Sequence, residues 1–168
     1  MSSLLVLGGA RSGKSRYAQT RAEATGLKRV FVATAQAFDD EMRERITRHR
    51  ADRGGVWETI EAPLDLAGII VARSAPDSVL LIDCLTLWTT NLILGDHDVG
   101  DAATALVEAI AGAKGPVLLV ANEVGFGIVP DNVLARRFRD EAGIVNQRVA
   151  AAVDEVQLVA AGLPLRLK

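Results

Sequence analysis

The sequence predicts a three-layer α/β fold in which a mostly parallel β-sheet is flanked by helices. Short apolar runs alternate along the 168 residues with longer amphipathic stretches, as strands and helices do in such folds. The apolar runs stop at Gly, Thr, Asp or Asn, the residue types found where ligand-binding loops leave a sheet. At roughly 150 residues per domain, this length predicts one domain over residues 1–168.

Five apolar runs are candidates for central strands, because a strand that is covered on both faces carries apolar residues without alternation. They are Leu4–Leu7, Arg29–Ala33, Val79–Ile82, Val117–Val120 and Val156–Val159. A sixth run, Leu163–Leu167, predicts a short last strand, which is a candidate for an antiparallel strand at the edge of the sheet.

Five stretches between these runs have the amphipathic pattern and the flanking Asp, Asn, Pro or Gly residues of helices. We predict helices over residues 14–25, about 40–53, from about 64 onward, 101–113 and 132–153. The last of these is a candidate for a bend near Gly143, and the segment 95–100 (GDHDVG) is the most loop-like insertion.

Composition and charge exclude several classes of protein. With 49% hydrophobic and 24% charged residues, the chain is neither disordered nor collagen-like. A net charge of −2 provides no general basic field for binding nucleic acid. The single cysteine, Cys84, excludes an internal disulfide and a cysteine-based zinc site. No apolar run is long enough to span a membrane and the N-terminus does not look like a signal peptide, so we expect a cytoplasmic protein.

The strongest local signal is the segment GGARSGKS at residues 8–15, which fits the pattern G-x-x-x-x-G-K-[ST] between a predicted strand and a predicted helix. Its backbone N–H groups and the start of the helix would surround a phosphate. Lys14 would reach the β- and γ-phosphates, and the Ser15 hydroxyl would ligate Mg²⁺. The strand–helix context argues against an ordinary glycine-rich turn. With the alternating pattern, this loop predicts a P-loop NTPase fold of the RecA-like type.

Asp83 ends the apolar run Val79–Ile82, where P-loop enzymes place a carboxylate that helps to hold Mg²⁺. An ordinary turn or helix-capping aspartate is the alternative. The presence of the phosphate loop favours the metal-binding interpretation.

The segment 39–53 is rich in arginine and contains His49. Two Glu–Arg pairs at i, i+4 spacing predict a solvent-exposed helical face. His49 shares a helical face with Met42 and Ile46, so spacing alone leaves a buried structural histidine and a catalytic one equally open. A neutral imidazole can attack phosphorus, and neighbouring guanidinium groups can bind phosphates. Because His97 lies in the loop-like insertion, a histidine nucleophile would be His49.

A second glycine-rich loop, NEVGFGIVP at residues 122–130, follows the fourth apolar run. A loop with spaced glycines at the end of a strand is typical of ligand binding. Phe126 in this loop either covers a large ligand or packs into the core. Glu61, which follows a short strand-like run, either contacts a ribose or a metal or is a surface carboxylate. Polar residues of the last predicted helix would form an active-site wall, a subunit interface or a solvent-exposed face: Arg136, Arg139, Asp140, Asn146 and Gln147.

Taken together, these motifs resemble the bifunctional adenosylcobinamide kinase / adenosylcobinamide-phosphate guanylyltransferase family of cobalamin biosynthesis. The resemblance covers nearly the whole chain, and the motifs in this order are far more specific than the phosphate loop alone. They are GGARSGKS (8–15), Ala33-Thr34-Ala35, DDEM (39–42), His49-Arg50, WETIEAP (57–63), LLIDCLTLWTTNL (80–92), NEVGFGIVP (122–130) and RRFRDEAGIVNQ (136–147).

The resemblance implies two reactions. First, ATP or GTP phosphorylates the aminopropanol hydroxyl of adenosylcobinamide. Second, GTP transfers GMP to His49 with release of pyrophosphate, and adenosylcobinamide phosphate then takes the GMP to give adenosylcobinamide-GDP. The resemblance also implies Mg²⁺ at Ser15 and Asp83, a catalytic role for Lys14, and a homotrimer with substrate entering between subunits. The implied nucleotide contacts are Gly8, Gly9, Ala10, Arg11, Ser12, Gly13, Lys14, Ser15, Ala33, Thr34, Ala35, Arg50, Ala51, Asp52, Arg53, Glu61 and Asp83.

Two other functions fit parts of the sequence. One is a single-activity P-loop kinase for a small metabolite, in which His49 is structural. The other is a P-loop regulatory NTPase that signals to a partner. The near-neutral charge and the absence of an appended domain within these residues argue against the regulatory protein.

Overall fold

A computed structural model describes residues 3–36 and 56–168. Its strands are β1 (Ser3–Gly8), β2 (Lys28–Ala33), β3 (Trp57–Glu61), β4 (Ser78–Asp83), β5 (Val117–Asn122), β6 (Glu155–Ala160) and β7 (Leu163–Arg166). Its helices are α1 (Lys14–Glu23), α2 (Leu66–Arg73), α3 (Leu85–Leu94), α4 (Val99–Ala111) and α5 (Val133–Ala152). The helix predicted over about 40–53 lies outside the described residues.

The strands form one sheet in the order β3-β2-β4-β5-β1-β6-β7. Neighbouring strands are parallel except for β7, which runs antiparallel to β6 at the edge. The predicted mostly parallel sheet with an antiparallel C-terminal edge strand is therefore confirmed. Strand β5 lies between β1, which leads into the phosphate loop, and β4, which ends at Asp83. At about 4.8 Å between strands, β1 and β4 are about 10 Å apart.

The apolar strands are covered by helices on both faces of the sheet. Leu4 and Val6 of β1 pack with Ala18 and Ala22 of α1 on one face. The alternate residues of β1 point into a larger cluster on the other face, which includes side chains of α2, α3, α4 and α5. The two alanines have small side chains, which lets α1 approach the sheet closely and fixes the helix start beside the end of β1.

Side-chain caps set two helix starts. The Asn132 side chain accepts a hydrogen bond from the Ala135 N–H at 2.7 Å, so α5 begins where Asn132 predicts. The Asp98 side chain accepts one from the Asp101 N–H at 2.8 Å. As a result α4 begins at Val99, earlier than predicted, and the end of the loop-like segment 95–100 is helical. Helix α5 is continuous through Gly143.

Strand β3 coincides with the strand-like run before Glu61, which is not among the six apolar runs. Helix α3 is the one element in the described residues that no predicted segment covers. Most of its residues are buried, including three threonine and asparagine side chains: the buried residues are Leu85, Thr86, Trp88, Thr89, Asn91, Leu92 and Ile93. The Trp88 indole Nε1–H donates to the Leu64 carbonyl at 2.7 Å and links α3 to the segment before α2. In the described part of the chain, no helix is both long and apolar enough to cross a membrane.

Candidate active site

Most of the predicted site residues lie along the sheet edge where the parallel strands end. In the register of the sheet, Ala33 pairs with Asp83 on one side and with Glu61 on the other, and Gly8 pairs with Asn122. This arrangement forms a row from β3 to β1. Four strand spacings of about 4.8 Å make the row about 19 Å long. Exposed Glu61 and the phosphate loop therefore lie at opposite ends.

The phosphate loop requires glycine where it leaves β1. A Cβ on Gly8 would lie 2.4 Å from the Ser12 Oγ and 2.6 Å from the Val159 carbonyl oxygen. Both distances are far below van der Waals contact, and the carbonyl belongs to the paired strand β6. The Ser12 hydroxyl is buried and has no hydrogen-bond partner among the residues that the structure describes. The loop is thus wrapped tightly around the end of β1.

The turn between β6 and β7 supports the other end of the loop. The Gly162 N–H donates to the Ser12 carbonyl at 2.8 Å. Gly13 has φ of +93°, and a Cβ there would lie 3.3 Å from the Gly162 Cα. Only glycine adopts this conformation without strain. The C-terminal hairpin therefore holds the backbone from which α1 begins.

Lys14 is the first residue of α1 and is only 8% exposed. Its ammonium group donates to the Gly9 carbonyl at 3.1 Å, which holds the positive charge over the phosphate loop. Ser15 follows and is half-buried at the same helix start. A helix N-terminus presents unpaired N–H groups and a positive dipole end. Together these groups can bind the anionic tail of a nucleotide.

The Ala33-Thr34-Ala35 step lies just past the end of β2, but the Thr34 hydroxyl has a structural partner. Its Oγ1 accepts from the Cys84 N–H at 2.8 Å and donates to the Cys84 carbonyl at 2.8 Å. The Thr34 carbonyl accepts from the buried Asn91 Nδ2 at 2.8 Å, and the same nitrogen donates to the Pro63 carbonyl at 3.0 Å. Asn91 thereby holds the segments that follow β2 and β3.

Asp83 is half-buried at the end of β4, and its neighbour Cys84 is buried. Burial, together with the negative charge of Asp83, raises the pKa of the Cys84 thiol to about 11. The thiol is therefore protonated at neutral pH and is not a nucleophile. Its Sγ accepts from the Leu87 N–H and caps α3. At the end of β4, the Asp83 carboxylate is thus the group that can bind a metal ion or a ligand.

The second glycine-rich loop is held by side chains of α5. The Arg136 guanidinium donates to the carbonyls of Pro130 and Asp131, at 3.0 and 2.7 Å. Arg139 donates to the Gly125 carbonyl at 3.0 Å. The two arginines therefore support the backbone of this loop.

The remaining polar residues of α5 divide between two environments. Asn146 is buried, and its Nδ2 donates to the Asn122 carbonyl at 3.3 Å. Asp140 and Gln147 are exposed to solvent. One face of α5 therefore fixes the end of β5, and Asp140 and Gln147 face solvent.

Sequence reasoning did not single out Glu123, the first residue after β5. Its N–H donates to the Gly8 carbonyl at 3.1 Å, and its Oε1 accepts from the Gly125 N–H at 2.7 Å. The only available signal was its place in the second glycine-rich loop, because the adjacency of β5 and β1 is not visible in the sequence. The structure therefore places the backbone of Glu123 next to the phosphate loop.

Phe126 is 85% exposed, which excludes the alternative that it packs into the core. Several other large apolar side chains of the same region are also exposed: Ile128, Val129, Val133 and Leu134. We call residues 126–134 with these side chains the apolar loop. It follows the end of β5, directly beyond Glu123.

His49, Arg50, Ala51, Asp52 and Arg53 lie outside the described residues, so their predicted roles remain predictions. The described chain leaves β2 at the carboxyl edge, runs to Gln36 and resumes at Val56 before β3. The segment with His49 therefore departs from the same edge as the phosphate loop.

The oxygen ligands near the phosphate loop suit Mg²⁺. Mg²⁺ is usually bound by one or two protein oxygens together with substrate phosphates and water. Ser15 supplies a hydroxyl and Asp83 a carboxylate, while within residues 3–36 and 56–168 no three His, Cys, Asp or Glu side chains form a metal-binding group. This donor set fits an ion that arrives with a nucleotide.

Comparison with known proteins identifies a family. A family model described as cobinamide kinase / cobinamide phosphate guanyltransferase matches residues 4–167. The bifunctional adenosylcobalamin biosynthesis protein CobP of Pseudomonas aeruginosa is 46% identical over 98% of this chain and 96% of its own length. The corresponding protein CobU of Salmonella typhimurium is 43% identical over 98% of this chain and 99% of its own.

Solved structures with low sequence identity support the fold. The flagellar accessory protein FlaH from Methanocaldococcus jannaschii has a TM-score of 0.53 and 14% identity over 99% of this chain and 78% of that one. An ATPase from the type III secretion system of pathogenic bacteria has a TM-score of 0.54 and 11% identity, over 98% and 56%. These likenesses confirm the predicted P-loop fold.

Proposed function

The chain belongs to the cobinamide kinase / cobinamide phosphate guanyltransferase family, and from this premise we propose how its residues share the two reactions. It is a bifunctional enzyme of adenosylcobalamin biosynthesis, as its relatives are. In our proposal residues 1–168 form one domain with one nucleotide site, which holds the triphosphate for both reactions. The observation that best supports this proposal is the position of Lys14. Its side chain is buried, and its ammonium group lies over the phosphate loop at the row of strand ends.

In the kinase reaction, the phosphate loop holds the β- and γ-phosphates of ATP or GTP. The Lys14 ammonium and the N–H groups at the start of α1 stabilise the negative charge that moves onto the leaving diphosphate. The aminopropanol hydroxyl of adenosylcobinamide attacks the γ-phosphorus. Mg²⁺, held with the phosphates by Ser15 and Asp83, would supply further charge neutralisation.

In the guanylyltransferase reaction, the His49 imidazole attacks the α-phosphorus of GTP and pyrophosphate leaves. The phosphate of adenosylcobinamide phosphate then attacks the same phosphorus, the bond to the imidazole breaks, and adenosylcobinamide-GDP forms. The phosphate loop makes pyrophosphate a better leaving group, because it binds the charge that develops on it. Arg50 and Arg53, which follow His49 closely in the sequence, would stabilise the charge on the α-phosphate.

The position of the second histidine supports the choice of His49. The His97 N–H donates to the Leu92 carbonyl at the end of α3. Helix α3 starts at the carboxyl edge, and ten residues at about 1.5 Å each carry its other end about 15 Å away from that edge. His97 therefore lies far from the row of strand ends, whereas the segment with His49 leaves from that row.

Nucleotide contacts beyond the phosphate loop follow the row of strand ends. Because the Thr34 hydroxyl is bonded to Cys84, we propose that residues 33–35 contact nucleotide through their backbone. We propose that Glu61, about 19 Å from β1 in the row, contacts the ribose and not the phosphates. Arg50, Ala51, Asp52 and Arg53 complete the proposed contacts.

We further propose a cytoplasmic homotrimer in which substrate enters between subunits. The apolar loop supports association, because exposed apolar side chains rimmed by polar residues are typical of protein interfaces. Phe126 and Ile128 of this loop are 85% and 97% exposed.

Labelling with GTP that carries the radioactive isotope at the α-phosphate tests the histidine assignment. We expect a covalent adduct that is stable in base and labile in acid and that maps to His49. It should be absent from His49→Asn and present in the matched control His97→Asn. Lys14→Ala should abolish labelling and kinase activity together. If His49→Asn still forms the adduct, or makes adenosylcobinamide-GDP at the normal rate, the assignment is wrong and the single-activity kinase is favoured.

A further inference from the structure

We propose that Glu123 is the general base of the kinase reaction. This inference rests on the proposed function. In the step concerned, the Glu123 carboxylate accepts the proton of the substrate hydroxyl while the hydroxyl oxygen forms a bond to the γ-phosphorus. The bond between the γ-phosphorus and its bridging oxygen breaks, and the nucleoside diphosphate leaves.

Position selects Glu123 among the carboxylates of the row. It follows β5, which is one strand spacing, about 5 Å, from β1, whereas Asp83 and Glu61 end strands about 10 and 19 Å away. Its backbone N–H donates directly to the Gly8 carbonyl at 3.1 Å. Of the three, Glu123 is thus next to the loop that binds the γ-phosphate.

The carboxylate of Glu123 is oriented by its own loop. One oxygen, Oε1, accepts from the Gly125 N–H at 2.7 Å. In our proposal the second oxygen takes the proton of the substrate hydroxyl. Within the described residues, no lysine or arginine forms an ion pair with this half-buried group. The hydrogen bond therefore orients the carboxylate, and no cation in this part of the chain neutralises its charge. A general base needs both properties.

Three side chains outside the loop fix the backbone on both sides of Glu123. The Thr86 Oγ1 accepts from the Asn122 N–H at 2.7 Å, and Asn146 donates to the Asn122 carbonyl. Arg139 donates to the Gly125 carbonyl at 3.0 Å. Such support holds a reacting group close to its working geometry, where misplacement by about 1 Å can cost about 100-fold in rate.

The two reactions differ in their need for a base. The kinase substrate is a neutral hydroxyl, which must lose a proton as it attacks. In guanylyl transfer the nucleophiles are a neutral imidazole nitrogen and an ionised phosphate, neither of which needs a proton removed. Loss of the Glu123 carboxylate should therefore lower the kinase activity and leave guanylyl transfer to the enzyme unchanged.

The test is the variant Glu123→Gln, because its side-chain amide oxygen can still accept from the Gly125 N–H and keep the loop in place. Kinase kcat should fall by about 10²–10⁴-fold, with KM for the nucleotide unchanged. The decline of wild-type kcat at low pH should disappear from the variant. Labelling by GTP at the α-phosphate should continue at the wild-type rate. Glu108→Gln, an exposed carboxylate on α4, is the matched control and should keep both activities.

Two results would overturn the assignment. One is a Glu123→Gln enzyme with wild-type kinase kcat and pH profile. The other is an equal loss of both activities with raised KM, which indicates a structural role in the loop. If the glutamine variant does not fold, Glu123→Asp replaces it: partial kcat with the low-pH decline retained supports the base, and full kcat opposes it. A wild-type enzyme that fails to phosphorylate adenosylcobinamide would instead refute the proposed function.

Discussion

Replacing Thr34 with valine should destabilise the protein although the two side chains have nearly the same shape. Thr34 is fully buried, and its hydroxyl bonds both the N–H and the carbonyl of Cys84 at 2.8 Å. Valine would leave these two buried groups unpaired, at about 1–3 kcal/mol each. The extra methyl group offsets about 1 kcal/mol through burial. We therefore expect unfolding free energy to fall by roughly 1–5 kcal/mol.

Urea unfolding of wild type, Thr34→Val and Thr34→Ser at one pH measures this cost. Serine is the matched control because it keeps the hydroxyl and loses only a buried methyl group, at about 1 kcal/mol. The valine variant should unfold at a lower urea concentration than the serine variant. A valine variant as stable as the wild type, or more stable than the serine variant, would show that the bonds to Cys84 do not hold β2 to β4.

Three further predictions concern assembly, pH and the phosphate loop. Ile128→Ser changes a 97% exposed side chain, so sedimentation should show loss of the proposed trimer; an intact trimer contradicts a role in association. The bidentate bonds from Arg21 lower the pKa of Glu155 from 4.5 to about 2, so their stabilisation is present above about pH 4.5 and lost as pH falls to 2. Glu155→Gln should cost about 1 kcal/mol at pH 7 and nothing near pH 2 in denaturation experiments; a pH-independent difference would contradict this. Gly8→Ala places a Cβ 2.6 Å from the Val159 carbonyl, so nucleotide KM should rise for both reactions, and an unchanged KM means the loop accommodates it.

The five central strands could be predicted because they are apolar on both faces, but helix α3 could not. An amphipathic stripe is the signal of a surface helix, and α3 buries side chains around most of its circumference. Asn91 and Trp88 are buried there through bonds to the carbonyls of Thr34, Pro63 and Leu64. Those three partners lie far from α3 in the sequence, so no local sequence pattern indicates these hydrogen bonds.

The parts of the candidate site that a short sequence motif defines could be predicted. The parts that depend on the order of strands in the sheet could not. The phosphate loop and Asp83 follow from local patterns, because each is defined by the end of one apolar run. Glu123 was missed because its role depends on β5 lying beside β1, which is a contact between residues far apart in the chain. The bonds of the Thr34 hydroxyl to Cys84 could not be predicted either, because the two residues are far apart in sequence.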